Sequence, residues 1–151
     1  KLIFLIFFLL LDLDFFLVAM PYTLLDQNSL DTAMKKCIER GIKVVLGSPF
    51  ASGLLTNPKN PNVRYNYGSV PANIRARAIK LQECCAEFNV PLMAAALQFP
   101  LFHPAVCSVI PGARTADQIK GNIKNFNFDI PKKLWAEMKN RDLIVSDAPT
   151  E

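Results

Sequence analysis

A strand, a tight turn and the start of a helix follow one another directly in Ser108-Val109-Ile110-Pro111-Gly112-Ala113-Arg114-Thr115-Ala116-Asp117-Gln118-Ile119. The run Val109-Ile110 favours a strand, and Pro111-Gly112 favours a turn. A helix that begins at such a turn presents free backbone N–H groups, and its dipole favours an anion there. We therefore predict an anion site here, with a nucleotide phosphate as its ligand. The stretch carries no obvious catalytic base.

Two further apolar runs upstream are typical of buried strands. They cover residues 14–20 and 42–46, and each is short, continuous and bounded by a turn signal. Helices are predicted from Asn28-Ser29 to Gly41, from Pro71 to Asn89, from Pro91 to Phe99, from Thr115 and from Pro131. In the first of these helices, Leu30, Met34, Cys37 and Ile38 are expected on the apolar face.

This alternation of strands and helices indicates parallel strands joined by helical crossovers. Three strands cannot close a barrel, and a (β/α)8 barrel typically needs about 250 residues. We therefore predict the α/β class and a partial (β/α)8 barrel, made of its C-terminal three strand–helix units plus a C-terminal helix. The usual phosphate site of such a barrel follows strands seven and eight, where residues 108–119 would lie.

Residues 1–11 form an apolar N-terminal segment, and residues 12–151 are expected to form the barrel part. The apolar run Leu2 to Leu11 is too short to span a bilayer. A signal peptide is an alternative, but Asp12 and Asp14 are costly in such a segment and the following residues continue as a strand. A buried helix or strand of a truncated chain is the favoured interpretation.

The amino-acid composition limits the classes of function that this chain could have. The net charge of +4 comes from scattered lysines and arginines without a basic, aromatic-rich cluster, so we predict no nucleic-acid partner. The spacing of the four cysteines, Cys37, Cys84, Cys85 and Cys107, matches no zinc or haem pattern. Buried free thiols in a reducing cytoplasm are expected, and no metal site is predicted. The one histidine, His103, is expected to pack or to cap a helix end.

Several segments, in the same order, resemble those of the aldo-keto reductase family. They are Tyr22-Thr23-Leu24-Leu25-Asp26-Gln27, Gly47-Ser48-Pro49-Phe50-Ala51-Ser52-Gly53-Leu54-Leu55, Arg64-Tyr65-Asn66-Tyr67, Ala94-Ala95-Ala96-Leu97-Gln98-Phe99-Pro100, Val109-Ile110-Pro111-Gly112-Ala113-Arg114 and Asp147-Ala148-Pro149-Thr150. The likeness covers residues 12–151 and is to the C-terminal part of the aldose dehydrogenase branch, which includes D-threo-aldose and L-fucose dehydrogenases.

The resemblance implies a barrel that binds a nicotinamide cofactor and transfers hydride to or from a carbonyl or sugar carbon. The family's catalytic Asp, Tyr, Lys and His lie in its N-terminal half, and none has a counterpart in this sequence. Catalytic residues are therefore predicted to be absent, and the isolated chain is expected to be inactive. The chain would hold part of the cofactor site.

Position by position, the resemblance places Ser48, Phe50 and Ser52 around the cofactor's pyrophosphate. An ordinary strand-to-loop turn is the alternative there. Gly47 stands where many relatives have an aromatic residue that stacks on nicotinamide, and Ala19 stands at or near the position of a glutamine that holds the carboxamide. Tyr67, in a long loop that is typical of a lid, would line a sugar pocket, or would be a surface aromatic without a ligand.

The resemblance also bears on the choice between NAD and NADP. Relatives that use NADP carry Lys, Ser and a later Arg where this chain has Gly112, Ala113 and Gln118. The loss of those cations favours NAD, with Arg114 as a possible substitute. Gln118 has a competing role, because Thr115 and Gln118 match a capping box. Asn122 matches the position near the adenine amine, with a solvated helix residue as the alternative.

Three functions follow from these observations. The leading hypothesis is a fragment of an NAD(P)-dependent aldose or carbonyl oxidoreductase in the cytoplasm. The second is a non-catalytic nucleotide-binding or regulatory relative. A secreted or membrane-associated domain is the third. The sequence specifies neither the substrate nor the oligomeric state.

Overall fold

Three short strands run parallel in one sheet in the computed structural model, which describes residues 12–19, 22–66 and 68–151. They are β1 (Phe15–Ala19), β2 (Lys43–Gly47) and β3 (Val106–Ile110), and they lie in the sheet in chain order. Within the described residues, the predicted strands agree with these bounds to within one residue. The prediction that the first strand is buried is wrong, because Phe15 and Leu17 of β1 are 59% and 66% exposed. The predicted α/β class is confirmed. Residues 1–11 and Met20 lie outside the described residues.

Helices provide the connections that parallel strands require. They are α1 (Lys35–Glu39), α2 (Ala72–Glu87), α3 (Leu92–Gln98), α4 (Ala116–Phe126) and α5 (Lys132–Asn140). Single-turn 3₁₀ segments cover Ala51–Gly53 and Phe99–Phe102. In the described part of the chain no single helix is long and apolar enough to cross a membrane. The segments Ala72–Glu87 and Leu92–Phe102 reach that length only together, across a bend of 103°.

A π-helical turn, Leu30–Met34, precedes α1, and the burial of the residues in this region corrects one prediction. The N–H of Met34 donates to the carbonyl of Ser29, five residues earlier, over 3.0 Å. This wider turn changes the phase of the residues that follow it. Met34 and Cys37 are buried as predicted, but Ile38 is 49% exposed, so its predicted place on the apolar face is wrong.

The two faces of the sheet differ in what covers them. Val44, Leu46 and Val106 are buried on the face that meets the helices. The other face carries Phe15 and Leu17, whose side chains are mostly exposed. Strands of a parallel sheet are normally covered on both faces. A part of a barrel would have such an open face, because the inner face of its sheet is covered only when the barrel is closed.

His103 belongs to the core, as predicted. It is 2% exposed, and its ring meets the ring of Tyr22 edge-on at a centroid distance of 5.1 Å. Its Nδ1 accepts a hydrogen bond from the backbone N–H of Ala105 over 3.2 Å. Burial lowers the pKa of the imidazole below its ordinary value of 6.5. The ring is therefore a packed, neutral acceptor at the entry to β3.

The stability of the chain is expected to decrease as the pH decreases, because His103 is buried in its neutral form. The folded-state pKa is below 6.5, the ordinary value that applies in the unfolded chain. Protonation therefore favours unfolding, and the stability is complete above pH 6.5 and lost as pH falls through the folded-state pKa. Urea unfolding midpoints across this pH window test the expectation. His103→Asn keeps an acceptor without a titrating ring and should flatten the curve, whereas an unchanged pH dependence in that variant would contradict it.

The cysteines depart from the prediction at one position. Cys37, Cys84 and Cys85 are buried free thiols, as expected, and burial raises the pKa of Cys37 to about 11. Cys107 is exposed, which corrects the expectation that all four are buried. The reason is its position in β3, which has a strand partner on one side only among the described residues. The exposed Cys107 thiol can therefore be labelled chemically to probe that edge of the sheet.

Candidate functional site

The loops predicted to hold the cofactor leave neighbouring strands at the same edge of the sheet. Gly47, the last residue of β2, is the register partner of Ile110, the last residue of β3. Residues 48–53 and 111–115 therefore start side by side at the carboxyl ends of the strands. Ligands of open parallel sheets and of barrels bind at this end. The two candidate segments are thus brought together.

The loop after β2 has an unusual backbone. Ser48, Ala51 and Ser52 have φ values of 55°, 48° and 57°, in the left-handed region that non-glycine residues seldom adopt. Such conformations cost about 1–3 kcal/mol each and gather at ligand sites. The Ser48 and Ser52 side chains are exposed, whereas Phe50 is only 7% exposed and packs in the core. Phe50 therefore anchors the loop, and only its backbone can meet a ligand.

The loop after β3 ends in a closed cap at the start of α4. The Thr115 Oγ1 accepts a hydrogen bond from the N–H of Gln118 over 3.2 Å, as a capping residue does. The Gln118 Oε1 accepts one from the N–H of Arg114 over 2.7 Å. A capping box would direct that second bond to the N–H of Thr115, so the bond reaches one residue further back. Gln118 is engaged in holding the helix start.

The charges around this helix start are few. Arg114 is exposed, and Asp117 lies in the first turn with a side chain that is 94% exposed. Asp117 pairs loosely with Lys120 at 3.8 Å, a surface contact that contributes little to stability. At Gly112 an added Cβ would meet no atom within 4 Å, so this part of the loop has room for a ligand or a side chain.

Asn122 is buried, with 8% of its surface exposed, and is not the solvated helix residue that the sequence left open as an alternative. It lines a cavity of about 290 Å³ between β3 and α4. The other lining residues are mostly apolar: Leu97, Leu101, Cys107, Ser108, Val109, Pro111, Ile123 and Phe126. Because Pro111 follows β3 directly, this cavity reaches the loop that carries Gly112 and Arg114.

The remaining predicted positions are less informative. At Gly47 an added Cβ would lie 3.7 Å from the Val18 carbonyl oxygen and 3.8 Å from the Ala19 Cβ, which are ordinary contacts. Packing therefore does not impose a glycine where relatives have an aromatic residue.

Tyr67, the candidate for the sugar pocket, lies outside the described residues. Among the described residues, no group of three or more His, Cys, Asp or Glu side chains is arranged to hold a metal ion.

A second, more polar cavity of about 360 Å³ was not foreseen. It is lined by Leu25, Asp26, Gln27, Asn28, Leu30, Asp31, Tyr65, Ile74, Arg77, Val145 and Asp147. Arg77 donates to the Leu143 carbonyl over 2.9 Å, and burial together with Asp26 raises the pKa of Tyr65. These residues come from four separate segments, so no local pattern in the sequence signals their meeting.

Comparison with known proteins accounts for the arrangement. Residues 10–142 match the model of the aldo/keto reductase family. The chain is 40% identical over 133 residues to pyridoxal 4-dehydrogenase from Microbacterium luteolum, and 38% identical over 135 residues to D-threo-aldose 1-dehydrogenase from Pseudomonas sp.. Each match covers 88% of this chain but only 39% and 41% of those two proteins.

Solved structures show the same fold over part of their length. An aldo-keto reductase from Bacillus halodurans in its holo form superposes with a TM-score of 0.70 at 22% identity, over 99% of this chain and 49% of that one. The glycerol dehydrogenase from Gluconobacter oxydans superposes with a TM-score of 0.62 at 15% identity, over 89% of this chain and 44% of that one. The sheet and its helices thus correspond to part of a TIM barrel, and the chain belongs to the aldo/keto reductase family.

Proposed function

We propose that this chain forms part of the nicotinamide cofactor site of an oxidoreductase. The complete protein would transfer hydride between the cofactor and an aldose or another carbonyl or alcohol substrate, in keeping with the dehydrogenase names of its relatives. One observation carries the proposal: the loops after β2 and β3 leave adjacent strands at the pair Gly47 and Ile110. A long, phosphate-bearing ligand can contact both loops only because of that adjacency.

The residues in place fit the phosphate and adenosine end of such a cofactor. Ser48 and Ser52 are exposed residues on a left-handed backbone, which suits an anion held mainly by backbone N–H groups. The open space at Gly112 admits a close approach to the start of α4. Asn122 would face the adenine from the Pro111 end of its cavity. When bound, the cofactor supplies the hydride acceptor or donor, and these residues position it.

NAD is favoured over NADP by the same geometry. Gln118, which stands where NADP-using relatives have an arginine, is held by its hydrogen bond to the N–H of Arg114. Asp117 adds a carboxylate to the first turn of α4 and would repel an extra phosphate. Arg114 is the single cation in residues 111–118. A ribose hydroxyl therefore suits this loop better than a 2′-phosphate.

The substrate would meet the loop that contains Tyr67 at the mouth of the completed barrel. The names of two relatives give a range of substrates, an aldose in one and pyridoxal in the other. We propose a small sugar or carbonyl compound of this kind, with Tyr67 as a wall of its pocket. A regulatory, non-catalytic nucleotide-binding protein would keep the loops after β2 and β3 without the substrate.

Ligand-observed NMR on the purified chain tests the cofactor proposal. Saturation transfer to NAD should be strongest at the adenine and ribose protons, because Gly47 and Ala19 give the nicotinamide ring little support. ADP-ribose should compete with NAD. Gly112→Asp places a carboxylate beside the phosphates and should abolish binding, whereas Gly112→Ala, which changes size without charge, should retain it. Absence of NAD binding, or equal binding by both variants, would refute the proposal.

A further inference from the structure

The polar cavity of about 360 Å³ brings together segments that lie far apart in the chain. Asp26 and Asp31 come from the segment after β1, Tyr65 from the long loop before α2, Arg77 from α2 and Asp147 from the C-terminal tail. None of its lining residues belongs to the two loops proposed for the cofactor. Sites for small molecules are recesses of about this size in which a few polar groups converge beside apolar walls. The cavity therefore has the size and the composition of a second ligand site.

The wall formed by the segment after β1 is fixed by its own hydrogen bonds. The Thr23 Oγ1 accepts a hydrogen bond from the N–H of Asp26 over 3.2 Å. The side-chain Nε2 of Gln27, a residue only 7% exposed, donates to the carbonyls of Thr23 and Leu24 over 2.6 and 2.9 Å. Because Nε2 is engaged there, the Gln27 Oε1 faces Arg77, 3.4 Å from its Nη2. This wall is thus formed before any ligand arrives.

The C-terminal tail forms a fixed rim of the cavity. Val145 and Asp147 line the cavity and are exposed, whereas Leu143 and Ala148, on either side of them, are 4% and 1% exposed. The Nη2 of Arg77 donates to the carbonyl of Leu143 over 2.9 Å and so ties the tail to α2. The rim is therefore anchored at both of its ends.

Arg77 has hydrogen-bond donors to spare. Its described hydrogen bonds both leave from Nη2, to the Leu143 carbonyl and to the Gln27 Oε1. Its Nε is enclosed and has no partner in the described part of the chain. An enclosed N–H group without an acceptor costs free energy, and most such groups in folded proteins are paired. An oxygen atom of a ligand would supply the acceptor that this guanidinium lacks.

Negative charge dominates the cavity. Asp26, Asp31 and Asp147 contribute three carboxylates, and Arg77 is the single cation among the lining residues. The ion pairs between described residues lie elsewhere, on α4 and between α2 and α5. Asp26 is partly buried, and its Oδ1 accepts a hydrogen bond from the N–H of Asn28 over 2.9 Å. A recess lined mainly by one sign of charge concentrates ligands of the opposite sign.

The remaining lining residues favour an organic cation over a metal ion. Among the described residues no group of His, Cys, Asp or Glu side chains is arranged to hold a metal ion. Leu25, Ile74 and Val145 add apolar wall that a carbon skeleton can contact. Burial raises the pKa of Tyr65, and the Asp26 carboxylate adds to that rise. The Tyr65 hydroxyl therefore stays protonated and can both donate to and accept from a ligand hydroxyl.

We propose that this cavity binds a small hydroxylated ammonium compound, an amino alcohol or an amino polyol in chemical class. The ammonium group would lie among the carboxylates of Asp26, Asp31 and Asp147. A hydroxyl oxygen would accept a hydrogen bond from Arg77, and the carbon skeleton would contact the apolar wall. A neutral polyol would leave the carboxylates without a cation, and an anion would be repelled by them. The site goes beyond the proposed cofactor function and does not depend on it.

A set of small compounds with the same branched carbon core tests the proposal. Tris carries an ammonium group beside its hydroxymethyl groups, pentaerythritol has a further hydroxymethyl group in place of the ammonium, and bis(hydroxymethyl)propionate carries a carboxylate. Dissociation constants are measured by ligand-observed NMR titration of the purified chain near neutral pH, in a buffer free of other amines. Tris should bind more tightly than pentaerythritol by about tenfold or more, the contribution of one hydrogen bond to a charged group. The carboxylate compound should bind least.

Matched variants locate the site. Asp26→Asn removes a charge but keeps an oxygen that can accept from the N–H of Asn28, and it should weaken Tris binding by about tenfold while changing pentaerythritol binding little. Asp31→Asn, at an exposed position, should weaken Tris binding by about twofold to fivefold. Arg77→Lys keeps a cation without the fork of N–H donors and should weaken both compounds. Asp129→Asn makes the same change at an exposed carboxylate outside the cavity and should leave Tris binding unchanged.

Several results would overturn the proposal. They are absence of Tris binding, Tris binding no tighter than that of pentaerythritol, and tightest binding of the carboxylate compound. It is also overturned if Asp26→Asn and Asp31→Asn both leave Tris binding intact, or if Asp129→Asn weakens it as much as they do. None of these measurements uses NAD, ADP-ribose or turnover. Failure here is therefore distinguishable from failure of the proposed cofactor site.

Discussion

The purified 151-residue chain should show no measurable carbonyl reduction or sugar oxidation with NADH, NADPH, NAD or NADP. General acid–base assistance alone contributes about 10²–10⁴ to the rate of such reactions. In residues 48–53 and 111–118 the only ionisable side chains are Arg114 and Asp117. An always-charged guanidinium and an exposed carboxylate cannot replace a proton donor poised near neutral pH.

The other titratable groups are poorly suited to replace it. His103 is buried and its Nδ1 is occupied by the N–H of Ala105. Burial raises the pKa of Tyr22, which is fully enclosed, and raises the pKa of Tyr65 beside the polar cavity. None of these three groups is therefore suited to donate a proton to a substrate at the ends of β2 and β3.

The measurement follows the absorbance of the reduced cofactor with a panel of aldehydes and aldoses. The intact Pseudomonas sp. D-threo-aldose 1-dehydrogenase, assayed in parallel with the same aldoses, provides the positive control. Turnover by the chain alone that disappears in Tyr65→Phe or His103→Asn would show that the active site lies in this chain and has been misplaced. Residual turnover unaffected by such changes would point to a contaminating enzyme and would be checked by repurification.

Local signals in the sequence were enough to locate the strands and the loops that follow them. Val109-Ile110 followed by Pro111-Gly112 predicts a strand and a turn whatever the rest of the chain does, because both preferences are set by the backbone. Thr115 caps its helix as predicted, because a cap also depends only on residues close together in the chain. Parallel pairing of β1, β2 and β3 followed from the intervening helices, since such strands need long crossovers.

Features that depend on contacts between residues far apart in the chain could not be predicted from the sequence. Asn122 is polar and lies on an amphipathic helix, so its burial became visible only when α4 was placed against α3, beside the cavity that Asn122 shares with β3. The exposure of Cys107 depends on β3 being an edge strand in the described part of the chain. Ile38 was misplaced because the spacing of apolar residues does not show where a buried face ends: Met34 and Cys37 are buried, whereas Ile38, close to the end of α1, is half exposed.

Cofactor preference should move strongly towards NADP when a cation is added at Gly112. In Gly112→Lys the new side chain enters open space, since an added Cβ meets nothing within 4 Å, and its ammonium can reach a 2′-phosphate at the start of α4. A hydrogen bond to a charged group contributes about 1.5–3 kcal/mol. Relative affinity for the 2′-phosphorylated ligand should therefore rise by about tenfold to a hundredfold. The measurement compares dissociation constants of ADP-ribose and its 2′-phosphate on the chain.

Gln118→Arg adds a cation to the same loop from helix α4, and it should also lower the stability of the helix start. The arginine adds a second cation, but it removes the acceptor for the N–H of Arg114, a hydrogen bond of 2.7 Å. The double variant Gly112→Lys with Gln118→Arg should therefore prefer the 2′-phosphate most strongly while losing about 1 kcal/mol of stability at the helix start. Gly112→Gln, which has a long side chain without charge, is the matched control and should leave the ratio near that of the parent.

Arg114→Ala completes the test, because Arg114 is the single cation of residues 111–118 in the parent chain. Its removal should weaken whatever affinity the parent has for the 2′-phosphate and leave ADP-ribose binding nearly unchanged. The two results are linked by the charge balance of this loop, where Asp117 opposes Arg114 in the first turn of α4. If the parent binds the 2′-phosphate more tightly and Arg114→Ala leaves that preference intact, the cations that select the cofactor lie elsewhere and the assignment of this loop is wrong.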